Sequence, residues 1–164
     1  MDNRYLDIRS QIRTGDIFIE KGKFPLAWAI QKWAGEGSHA GIFHWIGDRL
    51  FVTESNTKGV HPILASERLW KSNYCILQDM SPRPGQEQNI YDSWGKGYDY
   101  SSLFFRQPLF ILSGGRWLQN KQNRSNKFYC SELIAYIKDI DDWWTITPNK
   151  LLNHDDFQII LPFK

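Results

Sequence analysis

The sequence has few cysteines, no long apolar run and no marked excess of charge of either sign. Its two cysteines, Cys75 and Cys130, lie in quite different surroundings, so a structural disulfide between them is a poor interpretation. No stretch reaches the roughly 18 apolar residues that a membrane-spanning helix needs. The 20 basic and 18 acidic residues leave a formal net charge of +2, which gives no global field for nucleic acid or an anionic membrane.

Metal-binding and export motifs are also missing. Neither a Cys-x-x-Cys nor a His-Glu-x-x-His spacing occurs, so the motifs indicate no metal site, and we expect no cofactor. Residues 1–10, Met-Asp-Asn-Arg-Tyr-Leu-Asp-Ile-Arg-Ser, are charged and have no apolar segment behind them. These features predict a soluble, cytoplasmic protein that would need another route of delivery to act outside the membrane.

The sequence is rich in side chains that form a core. Hydrophobic residues make up 41% of the chain, and its 8 Trp, 7 Tyr and 10 Phe are more than a disordered segment carries. A length of 164 residues suits one domain of ordinary size and leaves no room for a second. We therefore expect a single domain over residues 1–164.

Short strands alternate with short helices along most of the chain, which predicts an α+β fold with an antiparallel sheet. The patterns predict strands at residues 17–19, 38–46, 50–53, 59–63, 74–78 and 157–161, and helices at 26–33, 65–70, 84–94, 128–140 and 147–153. Residues 101–127 are long, poorly patterned and split by Pro108 and Gly114-Gly115. We expect them to form a mobile cover over a substrate cleft.

A two-residue hairpin brings two functional side chains together. Gly47-Asp48 separates an apolar-rich run at 38–46 from a β-branched and aromatic run at 50–53 and is a hairpin signal, so Ile46 should pair with Arg49. Counting outward places His39 and Glu54 on one face as diagonal neighbours, about 7 to 8 Å apart at the backbone. A carboxylate on one imidazole nitrogen fixes the tautomer, which makes the other nitrogen a useful general base.

Cys130 is the candidate nucleophile for such a base. It falls in the first turn of the helix expected at 128–140, on the apolar face with Leu133, Ile134 and Ile137. The positive end of a helix stabilises a thiolate, and a nearby imidazolium does so further. The alternative interpretation is structural, because lone histidines on strands and lone cysteines on apolar helix faces are commonly core residues.

Several motifs resemble the permuted, papain-like NlpC-type cysteine hydrolases. They are Ser-His-Ala-Gly-Ile-Phe at 38–43, a Glu ahead of Gly-Val at 59–60, Gly-Tyr-Asp at 97–99 and Phe-Tyr-Cys-Ser-Glu-Leu-Ile at 128–134. The resemblance implies a papain-like sheet packed against the nucleophile helix, with Cys130 as nucleophile, His39 as base and Glu54 as the group that orients the base. Tyr98 is then similar to a tyrosine that lines the site and donates to an oxyanion.

The same resemblance implies an activity, and three alternatives stay open beside it. The implied activity is a cysteine amidase or peptidase that cleaves an amide or isopeptide bond in cell-wall-type peptides through a thioester intermediate. One alternative is acyl transfer, or lipid or thioester deacylation, as in the lecithin:retinol acyltransferase-like proteins that the chain also resembles. A second is a non-catalytic binding module, and a third is zinc held by His39, Glu54 and Cys130.

The remaining histidines and the second cysteine are assigned structural roles. His44 alternates onto the face opposite His39, and His61 and His154 fall at predicted edge or loop positions. Cys75 lies within an apolar strand. We expect the partner of the protein to be a small peptide or acyl substrate, with no nucleic acid involved.

Overall fold

The computed structural model describes residues 3–22, 37–70, 73–100, 126–141 and 143–164. Helices there are α1 (Asn3–Ile8), α2 (Ala65–Arg68), α3 (Gln86–Ser93), α4 (Cys130–Ile137) and α5 (Pro148–Leu152). Strands are β1 (Ile17–Glu20), β2 (His39–Ile46), β3 (Arg49–Asn56), β4 (Gly59–Leu64), β5 (Tyr74–Asp79), β6 (Gly97–Tyr98), β7 (Lys127–Phe128) and β8 (Phe157–Leu161). Two short 3-10 turns occupy Arg9–Gln11 and Trp143–Thr145.

Six of the strands form one sheet in the order β4-β3-β2-β1-β5-β8, and every neighbouring pair is antiparallel. β6 and β7 form a separate, parallel two-stranded pair beside it. This confirms the prediction of a mixed α+β fold with an antiparallel sheet.

The hairpin between β2 and β3 has the predicted register. Ile46 pairs with Arg49 and Gly41 pairs with Glu54. Gly47 in the turn has a φ of +58°, a conformation that glycine adopts without the steric cost of a Cβ. Because the register is fixed, the side chains of His39 and Glu54 are fixed to one face of the sheet.

The two faces of the sheet are covered by different helices. On one face, α4 packs Leu133 and Ile134 into a buried cluster with Ala40 and Ile42 of β2. On the other face, α1 and the following turn pack against a second cluster that includes Phe18, Phe43 and Val52. Alternation along β2 directs His39 to this second face, where its ring lies 6.0 Å from the ring of Phe18.

Some sequence predictions lie outside the described residues, and some elements were not predicted. The helix expected at 26–33 lies outside the described residues. The cover expected at 101–127 also lies outside them, except for its last two residues, and the second of these, Lys127, belongs to β7. Helix α1 and the β6–β7 pair were missed, because a six-residue helix and two-residue strands are too short to show a period. Of the helices in the described ranges, none combines the length and the hydropathy that a membrane-spanning segment needs.

Candidate active site

His39 and Glu54 meet at one end of the sheet. His39 is the first residue of β2, and its Nε2 donates a hydrogen bond to Oε2 of Glu54 over 3.0 Å. Their side chains are 20% and 4% exposed, so the carboxylate is buried and the ring is reached from one side only. With Nε2 bound to the carboxylate, Nδ1 is the nitrogen left for other chemistry.

Glu54 has further hydrogen-bond donors on both of its oxygens. The Nε of Arg68 donates to Oε2 over 2.5 Å, and the Nδ2 of Asn56 donates to Oε1 over 2.9 Å. Burial alone raises the pKa of Glu54, but the hydrogen bonds and positive charges of His39 and Arg68 bring the pKa well below its usual range. Glu54 is therefore a permanent carboxylate, held in one orientation.

Cys130 begins α4 and is only 5% exposed. The backbone N–H of Tyr129 donates to Oε2 of Glu132 over 3.1 Å, which caps the start of the helix. The Oγ of Ser55 in β3 donates to the Phe128 carbonyl over 2.5 Å. These two bonds fix the Phe128–Tyr129 peptide, just before Cys130, at the end of the sheet that carries His39.

The Cys130 side chain lies beside the His39 ring, close enough for its charge to act on the ring. Burial lowers the pKa of His39, but the Cys130 thiolate and the Glu54 carboxylate outweigh burial and raise the pKa to about 10. The ring is accordingly an imidazolium at neutral pH when Cys130 is a thiolate. The structure thus brings together the three residues that the sequence singled out.

Tyr98 lies next to Cys130 through the pairing of β6 with β7. Tyr98 is the register partner of Phe128, two residues before the cysteine, and its ring packs edge-on against Tyr100 at 4.7 Å. Burial raises the pKa of the Tyr98 phenol, and the negative charge of Cys130 raises it further. Tyr98 therefore stays protonated and keeps an O–H to donate.

Arg68 belongs to the site, although the sequence analysis did not predict it. It ends α2, a four-residue helix, and reaches Glu54 from outside the hairpin. A pattern of apolar residues carries no signal for a buried arginine, and only the contact between two elements that are distant in sequence identifies it. The pairing of β4 with β3 places His61 opposite Glu54, and Arg68 lies in the helix that follows β4. A prediction of this pairing would therefore have placed the segment that carries Arg68 near Glu54.

Among the other histidines, His44 is fully buried on the face of the sheet opposite His39, as predicted. Its ring lies among the rings of Phe51, Tyr91 and Trp94, at 5.8 to 6.0 Å between ring centres. Neither of its ring nitrogens has a hydrogen-bond partner among the described residues. Burial lowers the pKa of His44 from 6.5 to about 4 and outweighs the charge of Glu87.

His44 should make the protein sensitive to acid. Because the folded-state pKa is below 6.5, the unfolded chain binds the proton more readily, so stability is full above pH 6.5 and falls as the pH drops toward 4. We expect a loss of about 2.5 kcal/mol from this group, measured by urea unfolding at pH 7 and pH 4.5. A His44→Phe variant should lose less over the same range, and equal losses in both proteins would contradict this account.

A zinc ion on His39, Glu54 and Cys130 does not suit the geometry. Both oxygens of Glu54 already accept hydrogen bonds, and Oε2 accepts from Arg68 and His39 together. The described residues include no group of three His, Cys, Asp or Glu side chains that could hold a metal ion. We therefore derive no step through a metal.

Comparison with known proteins supports the fold and corrects the family. The chain is similar to the metalloprotein YiiX from Escherichia coli O157:H7, described as DUF1105, with 15% sequence identity and a TM-score of 0.66 over 93% of this chain and 98% of that chain. No family model and no curated protein matches the sequence. At 15% identity the similarity shows the fold alone.

The expected membership of the NlpC-type family is wrong. The structural neighbour belongs to a different family, and no model of any family matches. The motifs around Cys130 and His39 are short, and short motifs at a strand start and a helix start recur in unrelated families. The expectation of a cell-wall-type peptide as substrate came from that resemblance alone, so it has no remaining support.

Proposed function

We propose that the protein is a cysteine-dependent hydrolase that cleaves an amide bond through a thioester on Cys130. The observation that carries this proposal is the placement of the Cys130 side chain beside the His39 ring, whose Nε2 is held by a buried, ionised Glu54. A core cysteine and a core histidine need no such contact with each other. Sequence and geometry therefore point to the same three residues.

The chemistry begins with the ion pair. The Cys130 thiolate attacks the carbonyl carbon of the substrate, and the carbonyl electrons move to oxygen to give a tetrahedral oxyanion. The oxyanion collapses, the C–N bond breaks, and His39 gives its proton to the departing amine. Water then attacks the thioester while His39 takes a proton from it, and release of the acid regenerates the cysteine.

An amide suits this arrangement because the amine is a poor leaving group unless it is protonated. The imidazolium of His39 supplies that proton, and its raised pKa keeps the ring charged at neutral pH. Glu54 orients the ring and stabilises its charge over the 3.0 Å hydrogen bond.

Two donors are available for the oxyanion. Cys130 is the first residue of α4, and the N–H groups of a first helical turn have no partner within the helix. The Tyr98 hydroxyl, kept protonated by its raised pKa, is the second donor that we assign. Both groups lie near the nucleophile in the described part of the chain.

Trapping of the acyl-enzyme tests the proposal. The protein is mixed with p-nitrophenyl acetate and with a panel of peptide amides and thioesters, and its intact mass is followed over time. We expect an acyl adduct on Cys130 that disappears on standing in water, and no such adduct in Cys130→Ser at neutral pH. Peptide mapping locates the adduct.

The outcomes separate the candidate functions. An adduct that decays in water supports hydrolysis, whereas one that decays only when an amine or alcohol acceptor is added indicates acyl transfer. Failure of every probe to modify Cys130, with the protein folded, would overturn the proposal in favour of a binding module.

A further inference from the structure

Arg68 is buried against the candidate site and contacts two carboxylates. Its Nε donates to Oε2 of Glu54 over 2.5 Å, and its Nη2 donates to Oε2 of Glu20 over 2.7 Å. The guanidinium also lies over the ring of Phe18, at 5.0 Å from the ring centre. Phe18 in turn contacts the His39 ring, so arginine and histidine share both an aromatic neighbour and an acceptor oxygen.

We propose that Arg68 is a positioning residue, which fixes Glu54 against His39 and supplies the second positive charge that the site needs. The proposal rests on the proposed function, because it assigns a role within the Cys130–His39 pair. Arg68 touches no reacting atom, and its effect passes through Glu54.

Arg68 and His39 are coupled by geometry. One oxygen of Glu54, Oε2, accepts from Arg68 and from His39 at 2.5 and 3.0 Å, so the position of one donor constrains the other. The side chain of Arg68 is 16% exposed and is held at its far end by Glu20. A guanidinium tied at two points is a rigid support for the carboxylate that orients the imidazole.

Arg68 also balances the negative charge of the site. With Cys130 as thiolate, the negative groups that contact His39 or Arg68 are Cys130, Glu54 and Glu20, and Glu20 is the register partner of His39 in β1. Two further buried carboxyl groups, Asp99 and Glu132, lie near Cys130 and do not relieve this excess of negative charge. The positive groups are the His39 imidazolium and Arg68. Without Arg68, one imidazolium would face three negative groups in a largely buried site, which is costly.

The remaining titratable groups near the pair do not replace Arg68. Tyr98 stays neutral, and the Nδ1 of His61, opposite Glu54, lies 3.1 Å from the Gly59 carbonyl. Among the described residues, the hydrogen bonds to Glu54 come from His39, Arg68 and Asn56, and Arg68 is the one of these three that carries a fixed positive charge.

The test is the pH dependence of Cys130 alkylation by iodoacetamide, since only the thiolate reacts. Arg68→Gln removes a positive charge, so we expect the rising limb of the rate profile to move to higher pH by about one unit. Below the midpoint, this shift corresponds to alkylation that is about tenfold slower. Glu20→Gln removes a negative charge and should move the limb in the opposite direction. Arg68→Lys keeps the charge and should stay near the wild-type midpoint.

The opposite signs exclude a merely structural role, because loose packing would disturb both variants in the same direction. Arg83→Gln serves as the control, since Arg83 is 44% exposed and pairs with Asp139 away from the site. Unchanged midpoints in both Arg68→Gln and Glu20→Gln would overturn the role assigned to Arg68 and would leave the proposed function standing. If Arg68→Gln does not fold, Glu20→Gln tests the assignment instead. A rising limb that moves to lower pH supports the role of Arg68, and one that stays in place or moves to higher pH overturns it.

This result is distinct from failure of the proposed function. The alkylation profile needs only the Cys130–His39 pair and no turnover. A wild-type profile that does not depend on His39 would contradict the proposed function itself, whereas a His39-dependent profile insensitive to Arg68 and Glu20 would contradict only this inference.

Discussion

Replacement of Cys130 by alanine is expected to abolish turnover, and His39→Ala should lower it by about three orders of magnitude or more. In the proposed mechanism the Cys130 sulfur forms the covalent intermediate, and His39 is both the proton acceptor and the proton donor. Glu54→Gln should retain more activity than either, because an amide can still accept from Nε2 but does not stabilise the ring charge. The measurement is kcat/KM on whichever amide or thioester probe forms the acyl-enzyme.

Cys75→Ala is the matched control for this series. Cys75 is fully buried in β5, and β1 separates that strand from β2, which carries His39. The variant removes the second thiol and should keep wild-type turnover, apart from any loss of stability. Full activity in His39→Ala, or loss of activity only in Cys75→Ala, would contradict the assignment.

The second large effect is on stability and arises at the opposite end of α4. Lys138 follows the helix, its side chain is 3% exposed, and its Nζ donates to Asp79 and, over 3.0 Å, to Gln86. The Asp79 backbone N–H donates to Oδ1 of Asp16 over 2.9 Å, which extends the network to β1. This cluster joins the C-terminal end of the helix that begins with Cys130 to β5 of the sheet.

Lys138→Met is expected to lower the free energy of unfolding by about 3 to 5 kcal/mol. Methionine fills the volume but leaves the Asp79 carboxylate buried without its main partner, and an unpaired buried charge is strongly destabilising. Urea unfolding at pH 7 measures the change, with Lys58→Ala in the exposed turn after β3 as the control. Adding Asp79→Asn to Lys138→Met should recover part of the loss. A change within about 0.5 kcal/mol for Lys138→Met would contradict the account.

The sequence predicted the parts of the fold that depend on local signals. The hairpin register followed from Gly47-Asp48 and the alternation on either side, and it placed His39 and Glu54 on one face. The start of α5 followed from Thr147-Pro148, and Oγ1 of Thr147 indeed accepts from the Lys150 backbone N–H over 3.2 Å. Turns, caps and period-2 strands are encoded within a few residues, so they can be read without a structure.

What the sequence did not predict depends on contacts between distant segments. Arg68 lies 14 residues from Glu54 and 48 from Glu20, and Lys138 lies 59 from Asp79. Charged residues of this kind read as solvated surface in a sequence, and only tertiary packing makes them buried partners. The family assignment failed for a related reason, because motifs of three to seven residues do not determine the remainder of the chain.

The central claim is that His39 activates Cys130, and competitive labelling tests it most directly. The native protein is treated with a limiting amount of iodoacetamide near pH 6, and both cysteines are quantified by peptide mass spectrometry. The account predicts that Cys130 is labelled well ahead of Cys75, and that His39→Ala removes most of this preference because the imidazolium no longer stabilises the thiolate. Preferential labelling of Cys75 in the folded protein, or an unchanged rate at Cys130 in His39→Ala, would contradict it.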